Sequence, residues 1–63
     1  MAREIGDRRG EGSALWNMSL ALDKLGDRKK ATVQAEAALR IFEEIEHPKA
    51  AMVRKQLDTW KNG

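Results

Sequence analysis

The chain has 63 residues and a formal net charge of +2, from 12 basic and 10 acidic residues, with one histidine and no cysteine or tyrosine. A chain of this length forms at most one domain, which buries only about 60% of its unfolded surface and is marginally stable alone. The composition excludes disulfides and thiolate chemistry, no apolar run approaches the ~18 residues of a membrane span, and the small net charge gives little support for a polyanionic partner. No signal-peptide pattern is visible, so we expect a cytoplasmic location and no membrane partner.

The first residues form a lead-in to the main helical patterns. Residues 1–6 are expected to end a helix, with Ile5 as its last core residue and Gly6 as its stop. Asp7 then suits the N-cap of the next helix, because its carboxylate can accept hydrogen bonds from free backbone amides. The run RRGEGS that follows contains two glycines, and each costs about 1 kcal/mol relative to alanine inside a helix. We therefore expect this helix to be frayed as far as Ser13.

Two helical patterns joined by a tight turn follow. The first helix runs to about residue 25, and its apolar residues recur at steps of three and four: Leu15, Met18, Leu22 and Leu25. Gly26 supplies the left-handed residue that ends a helix at little steric cost. Asp27 is the expected N-cap of the second helix. So short a connection makes the two helices antiparallel and in contact.

The second helix is expected from Arg28 to Ile45 or Glu46, and its stripe is rich in small residues. That stripe consists of Ala31, Ala35, Ala38, Phe42 and Ile45, widened by Leu39. Alanines leave little side chain between two helix axes, so the partner helix must supply bulk. We expect Leu15, Met18 and Leu22 to supply it.

A third helix is expected after the boundary at His47 and Pro48, and to end at Asn62–Gly63. Proline cannot continue a helix but suits the first position of a new one, and His47 is expected to serve as a local cap. The apolar stripe of this helix consists of Ala50, Val53, Leu57 and Trp60. The predicted fold class is therefore all-α, an antiparallel helix-turn-helix followed by one more helix.

The hairpin resembles a tetratricopeptide repeat, one helix-turn-helix unit of a superhelical solenoid. The resemblance rests on Ala14, Asn17, Ala21, Gly26, Asp27, Ala31, Ala38, Leu39 and the apolar residues between them. Residues 3–7 are echoed by residues 43–47 at an offset of 40, longer than the common period of about 34 and similar to the long, bacterial-type subclass. The resemblance implies a solenoid fragment: 1–6 as the stump of a previous repeat, 7–46 as one repeat and 47–63 as a capping helix.

The resemblance also implies a function, which is non-catalytic binding of a protein or peptide. First helices of such repeats line a concave groove, and by position this groove would contain Ser13, Trp16, Asn17, Leu20, Asp23 and Lys24. Asn17 stands where related repeats hold a peptide backbone or carboxylate, and a structural polar role between helices is equally open to it. Trp16 is either a groove anchor or packs on a neighbouring helix, and packing is favoured.

A solenoid fragment is expected to expose apolar side chains at both of its ends, which favours a homodimer as the simplest closed assembly. The residues predicted to take part in self-association are Trp16, Leu20, Val53, Leu57 and Trp60. Exchange of helices between chains is a second route to the same state, with Gly26 or the junction at His47 and Pro48 as the hinge.

Two other classes of function are less well supported by the residues. Ser13, Ser19 and Thr59 have no recognisable base partner, and Glu43 with His47 offers two metal ligands where a site usually needs three or four. We therefore expect no enzyme, no metal and no cofactor. The alternative is a small basic nucleic-acid-binding module built on Lys49, Arg54, Lys55 and Lys61. It is disfavoured because only Gln56 accompanies them as a base-reading amide.

Overall fold

The computed structural model describes residues 2–62, with side chains from Gly6 onward. Within that range the chain forms helices α1 (Ala2–Lys24), α2 (Arg28–Glu44) and α3 (Lys49–Asn62), and no strand. The all-α fold class is confirmed. The predictions for the Ile5 side chain and for Gly63 concern parts of the chain outside this description. None of the helices in the described range is both long enough and apolar enough to cross a membrane.

Ion pairs between neighbouring helices show how the helices run. Arg8 near the start of α1 bonds Glu44 at the end of α2, with Nε 2.9 Å from Oε1. At the other end of the pair, Asp23 accepts a hydrogen bond from Arg28. The helices α1 and α2 are therefore antiparallel, as the short turn predicts. Helix α3 runs back antiparallel to α2, because Arg54 pairs with Glu43 and Lys61 lies 2.8 Å from a carboxylate oxygen of Glu36.

The structure of the first turn confirms the roles predicted for Gly26 and Asp27. Gly26 has a φ of +87°, and the backbone N–H of Asp27 donates to the carbonyl of Leu22 at 2.9 Å. This six-to-one hydrogen bond, together with the one from Gly26 to Asp23, is a Schellman motif. The Asp27 carboxylate then accepts from the N–H of Lys30 at 3.2 Å and caps α2.

The second turn repeats the same geometry with different residues. The N–H of His47 donates to the carbonyl of Phe42 at 2.8 Å, and that of Glu46 donates to Glu43. Glu46 takes the left-handed place with a φ of +54°, although it is not a glycine. His47 Nδ1 accepts from the N–H of Lys49 at 3.1 Å, so its predicted role as a local cap is confirmed.

The core is centred on α2, whose small residues pack in one buried cluster with two tryptophans. Ala31, Ala35 and Ala38 have no exposed surface, and Trp16 from α1 and Trp60 from α3 belong to the same buried cluster. The two indole rings stack with their centroids 6.4 Å apart. The bulk that the alanines require comes from these rings, helped by the partly buried Leu15 and Leu22.

The structure corrects the predicted orientation of α1. Met18 is 53% exposed and Leu25 is 80% exposed, so neither faces the alanines of α2. The buried positions of the helix are instead Gly12, Trp16 and Ser19. The expected stripe was wrong by roughly a third of a turn because α1 carries apolar residues on more than one side.

The structure also corrects the predicted start of α1. The helix runs without interruption from Ala2, so Gly6 does not end a helix, Asp7 does not cap one, and the segment up to Ser13 is helical. Gly12 has a packing role, because a Cβ built on it would lie 2.9 Å from the Phe42 ring. A glycine at this position lets α1 approach a fully buried phenylalanine.

Candidate interaction surfaces

Four of the six predicted groove residues form one row on α1. Ser13, Asn17, Leu20 and Lys24 recur at steps of four, three and four residues, which is one side of a helix. Asn17 and Lys24 are exposed, Leu20 is 36% exposed and Ser13 is half-buried. We call this set the polar row. It offers an amide, an ammonium group, a hydroxyl and one aliphatic side chain to a ligand.

The other two predicted groove residues belong to the packing of the chain itself. Trp16 is buried against Trp60, so the favoured interpretation, packing on a neighbouring helix, is confirmed and the groove-anchor interpretation is wrong. Asp23 is half-buried and accepts a hydrogen bond from Arg28 Nε at 2.6 Å. The guanidinium of Arg28 lies 5.3 Å from the centre of the Trp60 ring, a cation–π distance. Asp23 therefore positions a cation over Trp60.

The residues predicted for self-association are largely internal. Trp16, Val53, Leu57 and Trp60 are all buried, and only Leu20 has appreciable exposed surface. The expectation that these apolar side chains lie exposed was therefore wrong for all but one of them. The physical reason is that α3 folds back onto α2, so the apolar side of each helix covers the other.

A second row on α1 was missed as a surface. Ala14, Met18 and Ala21 of α1 and Leu25, the first residue after it, also recur at steps of four, three and four, and all four are exposed. We call this set the apolar row. Sequence reasoning placed Met18 and Leu25 in the core. The signal that could have separated them is the alternative stripe of Gly12, Trp16 and Ser19 at the same steps, on the opposite side of the helix.

Three of the side chains considered for catalysis or metal binding, Ser19, His47 and Glu43, make structural contacts. Ser19 is buried and donates to the backbone carbonyl of Trp16 at 2.6 Å. His47 caps α3, and Glu43 pairs with Arg54. In the residues that the structure describes, no group of three or more His, Cys, Asp or Glu side chains is placed to hold a metal ion.

Two of the basic residues on α3 are paired with carboxylates of α2. Arg54 pairs with Glu43 and Lys61 with Glu36, so these charges are partly compensated. The hydrogen bond to Glu44, the residue that follows Glu43, raises the pKa of Arg8, and Glu11 reinforces this effect. Two of the four cations on which the nucleic-acid alternative depends are therefore paired with carboxylates.

Comparisons of this chain with protein-family models, with curated proteins and with solved structures found no match. The resemblance to a tetratricopeptide repeat thus stays a prediction that rests on residues of this chain alone. The proposed function therefore rests on the exposed surfaces of α1.

Proposed function

We propose that this chain is a non-catalytic protein–protein interaction module of the tetratricopeptide type, which binds a peptide segment and also self-associates. The observation that carries the proposal is the exposed part of α1. One helix supplies a buried side with Trp16 and, beside it, two exposed rows of different chemistry. A helix that packs on one side and offers organised side chains on the other is suited to recognition.

The polar row fits an extended peptide. The Asn17 amide can both donate to and accept from a peptide backbone, and Lys24 favours a carboxylate nearby. Leu20 adds an apolar contact in the middle of the row. Trp16 and Arg28 fix the position of α1 from its buried side. Little ordering of the helix is therefore needed when a peptide binds, and this favours affinity.

Selection from a random peptide library displayed on phage tests this proposal. Peptides enriched on the purified chain should bind at least about tenfold more weakly when Asn17→Ala and Lys24→Ala are combined, since two polar contacts are lost. Lys55→Ala is the matched control, an exposed lysine on α3 outside the row. Failure to enrich any peptide, or equal loss with the control variant, contradicts the proposal.

The purified chain also serves to test the alternative function, nucleic-acid binding. A nucleic-acid binder would retain a mixed-sequence DNA or RNA duplex at physiological ionic strength and lose it steeply as salt rises. The proposed module should show no such retention. Retention that is abolished by Lys55→Ala together with Lys49→Ala would favour the nucleic-acid function instead.

A further inference from the structure

We infer that two copies of this chain associate by exchanging α3, so that α3 of each copy packs on α1 and α2 of the other. The inference rests on the self-association in the proposed function, and it assigns both the exchanged helix and the hinge. The hinge is the turn between α2 and α3, residues 46–48, and not the turn at Gly26. The occupant is a second copy, whose α3 makes between chains the contacts that the structure shows within one chain.

The first argument is the backbone conformation of Glu46. This residue has a φ of +54°, in the left-handed region that a residue with a Cβ disfavours. It is the only non-glycine residue with a positive φ in the part of the chain that the structure describes. Strain in a short connection between packed elements favours exchange, because the connection relaxes when it opens. In an extended hinge Glu46 would lie in the broad β region, where this strain is absent.

The turn between α1 and α2 has the same geometry without the strain. Its left-handed residue is Gly26, with a φ of +87°, and glycine occupies that region at little steric cost. Opening the first turn would therefore release no strain, whereas opening the second turn would release it in both copies. The second turn is for this reason the hinge.

The residues that follow Glu46 are suited to an open hinge. Pro48 restricts the backbone of His47 towards the extended region, so the main change on opening is at Glu46. Opening gives up the backbone hydrogen bonds that Glu46 and His47 donate to carbonyls of α2, and water can satisfy the groups that are released. The hydrogen bond from Lys49 to His47 Nδ1 is local, so α3 stays capped as it moves.

The face that α3 covers determines what a second copy must supply. Val53, Leu57 and Trp60 are buried, and Trp60 stacks on Trp16 of α1. A single copy with an open hinge would uncover these apolar side chains, which water disfavours. A second open copy offers an identical helix to cover them. The four residues that would then meet between copies are among the five that the sequence predicts for self-association.

Ion pairs specify how the exchanged helix lies. Lys61 is 2.8 Å from Glu36, and Arg54 pairs with Glu43. Between two copies, the same pairs place α3 of one chain antiparallel to α2 of the other. Two such contacts related by a twofold axis form a closed dimer with both hinges near the axis. Because these pairs are exposed they contribute little stability, but they report which chain each α3 packs on.

Substitution of Glu46 tests the role of strain. Each chain is refolded from urea at a series of concentrations, and the dimer is measured by sedimentation equilibrium. Glu46→Gly relaxes the closed turn and should raise the dissociation constant at least about tenfold. Glu46→Ala is the matched control, because it removes the same carboxylate and keeps a Cβ, and the dissociation constant should stay within about threefold of wild type. No weakening by Glu46→Gly, or equal weakening by both, would overturn the inference.

Two charge-reversed chains test the exchange itself. The first carries Glu36→Lys with Glu43→Arg, and the second carries Arg54→Glu with Lys61→Glu. Within either chain, α2 and α3 then present like charges to each other. In an exchanged mixed dimer, α2 of each chain meets α3 of the other, and opposite charges face each other at both contacts. The two chains refolded together at low salt, where exposed pairs are least screened, should therefore form the mixed dimer in excess over both homodimers, as counted by native mass spectrometry.

A third chain controls for net charge. It carries Arg40→Glu with Lys55→Glu, which change the net charge by the same amount as the substitutions in the second chain. Both positions are exposed and lie outside the two ion pairs between α2 and α3. Refolded with the first chain, this chain should give no excess of the mixed dimer. An excess equal to that of the test pair would overturn the exchange.

The remaining outcomes separate this inference from the proposed function. A wild-type dimer whose charge-reversed chains give no excess of the mixed dimer would overturn the exchange and leave self-association standing. A wild-type chain that stays monomeric at every concentration would overturn self-association itself. Peptide binding depends on the polar row of α1, so its failure is registered independently in the phage selection.

Discussion

Alanines on α1 and α2 recur at the same kind of helical spacing, but those on α2 are buried and those on α1 are exposed. Ala35 and Ala38 have no exposed surface and lie among Trp16 and Trp60, whereas Ala14 and Ala21 are exposed on the outer side of α1. A small residue at helical spacing shows only that another helix can approach closely at that position. Which side becomes the core is decided by where the largest side chains can be covered, and here those are the two tryptophans.

The largest difference in stability between buried and exposed positions should appear when the buried ring of Phe42 is removed. Phe42 is fully buried, so Phe42→Ala should lower the free energy of unfolding by about 3–5 kcal/mol. For so short a chain, that loss leaves most molecules unfolded. Leu25→Ala on the outer side should change it by less than about 0.5 kcal/mol. Urea unfolding followed by far-UV circular dichroism measures both, and equal losses would show that the inner and outer sides are assigned wrongly.

Adding bulk to matched alanines sharpens the comparison. Ala38→Leu overpacks a site with no exposed surface and should cost about 1–3 kcal/mol. Ala21→Leu adds the same atoms on the exposed side and should leave the stability of the monomer within about 0.5 kcal/mol of wild type. Thermal melts at low protein concentration check this pair. A melting temperature unchanged by Ala38→Leu would mean that α2 does not face the tryptophans closely.

Two glycines of α1, one on each side, form the next pair. A Cβ on Gly10 would meet nothing within 4 Å, so Gly10→Ala should stabilise the helix by about 0.5–1 kcal/mol. A Cβ on Gly12 would meet the Phe42 ring at 2.9 Å and Ile41 Cγ2 at 3.2 Å. Gly12→Ala should therefore be destabilising by about 1 kcal/mol, because the clash exceeds the gain in helix propensity. Stabilisation by both substitutions, seen in urea unfolding, would contradict the close approach of α1 to Phe42.

The smallest effect is expected from an exposed ion pair. Glu36 and Lys61 lie 2.8 Å apart, with side chains 48% and 57% exposed. Glu36→Gln should cost less than about 0.5 kcal/mol, and any cost should disappear at high salt, because exposed pairs are weak and screened. A loss as large as that for Ala38→Leu would show that outer charges, rather than the alanine core, hold α3 in place.

The features that sequence reasoning predicted correctly are local. The turn at Gly26, the cap at Asp27, the stripe of α3 and the small-residue side of α2 each depend on residues within a few positions of one another. The same holds for the cap at His47. These features can be predicted from the sequence because backbone conformation and helix capping depend on residues within one or two turns of helix.

The features that sequence reasoning missed depend on residues far apart in the chain. Gly12 reads as a helix breaker until Phe42 is known to lie against it. Met18 and Leu25 read as core residues because spacing alone cannot choose between two apolar sides of one helix. Of the candidate site, Asn17, Leu20 and Lys24 are exposed and Ser13 is half-buried, whereas Trp16 contacts a ring that lies 44 positions later in the sequence.

The stacked tryptophans give the molecule an optical probe of its own assembly. The chain contains two tryptophans and no tyrosine, so the near-ultraviolet absorption and emission come almost entirely from this pair. One ring belongs to α1 and the other to α3, and both of these helices pack against α2. A red shift in fluorescence therefore reports the release of an outer helix, even when all three helices stay intact. Release of an outer helix can thus be distinguished, without any label, from the loss of helical structure that far-UV circular dichroism measures.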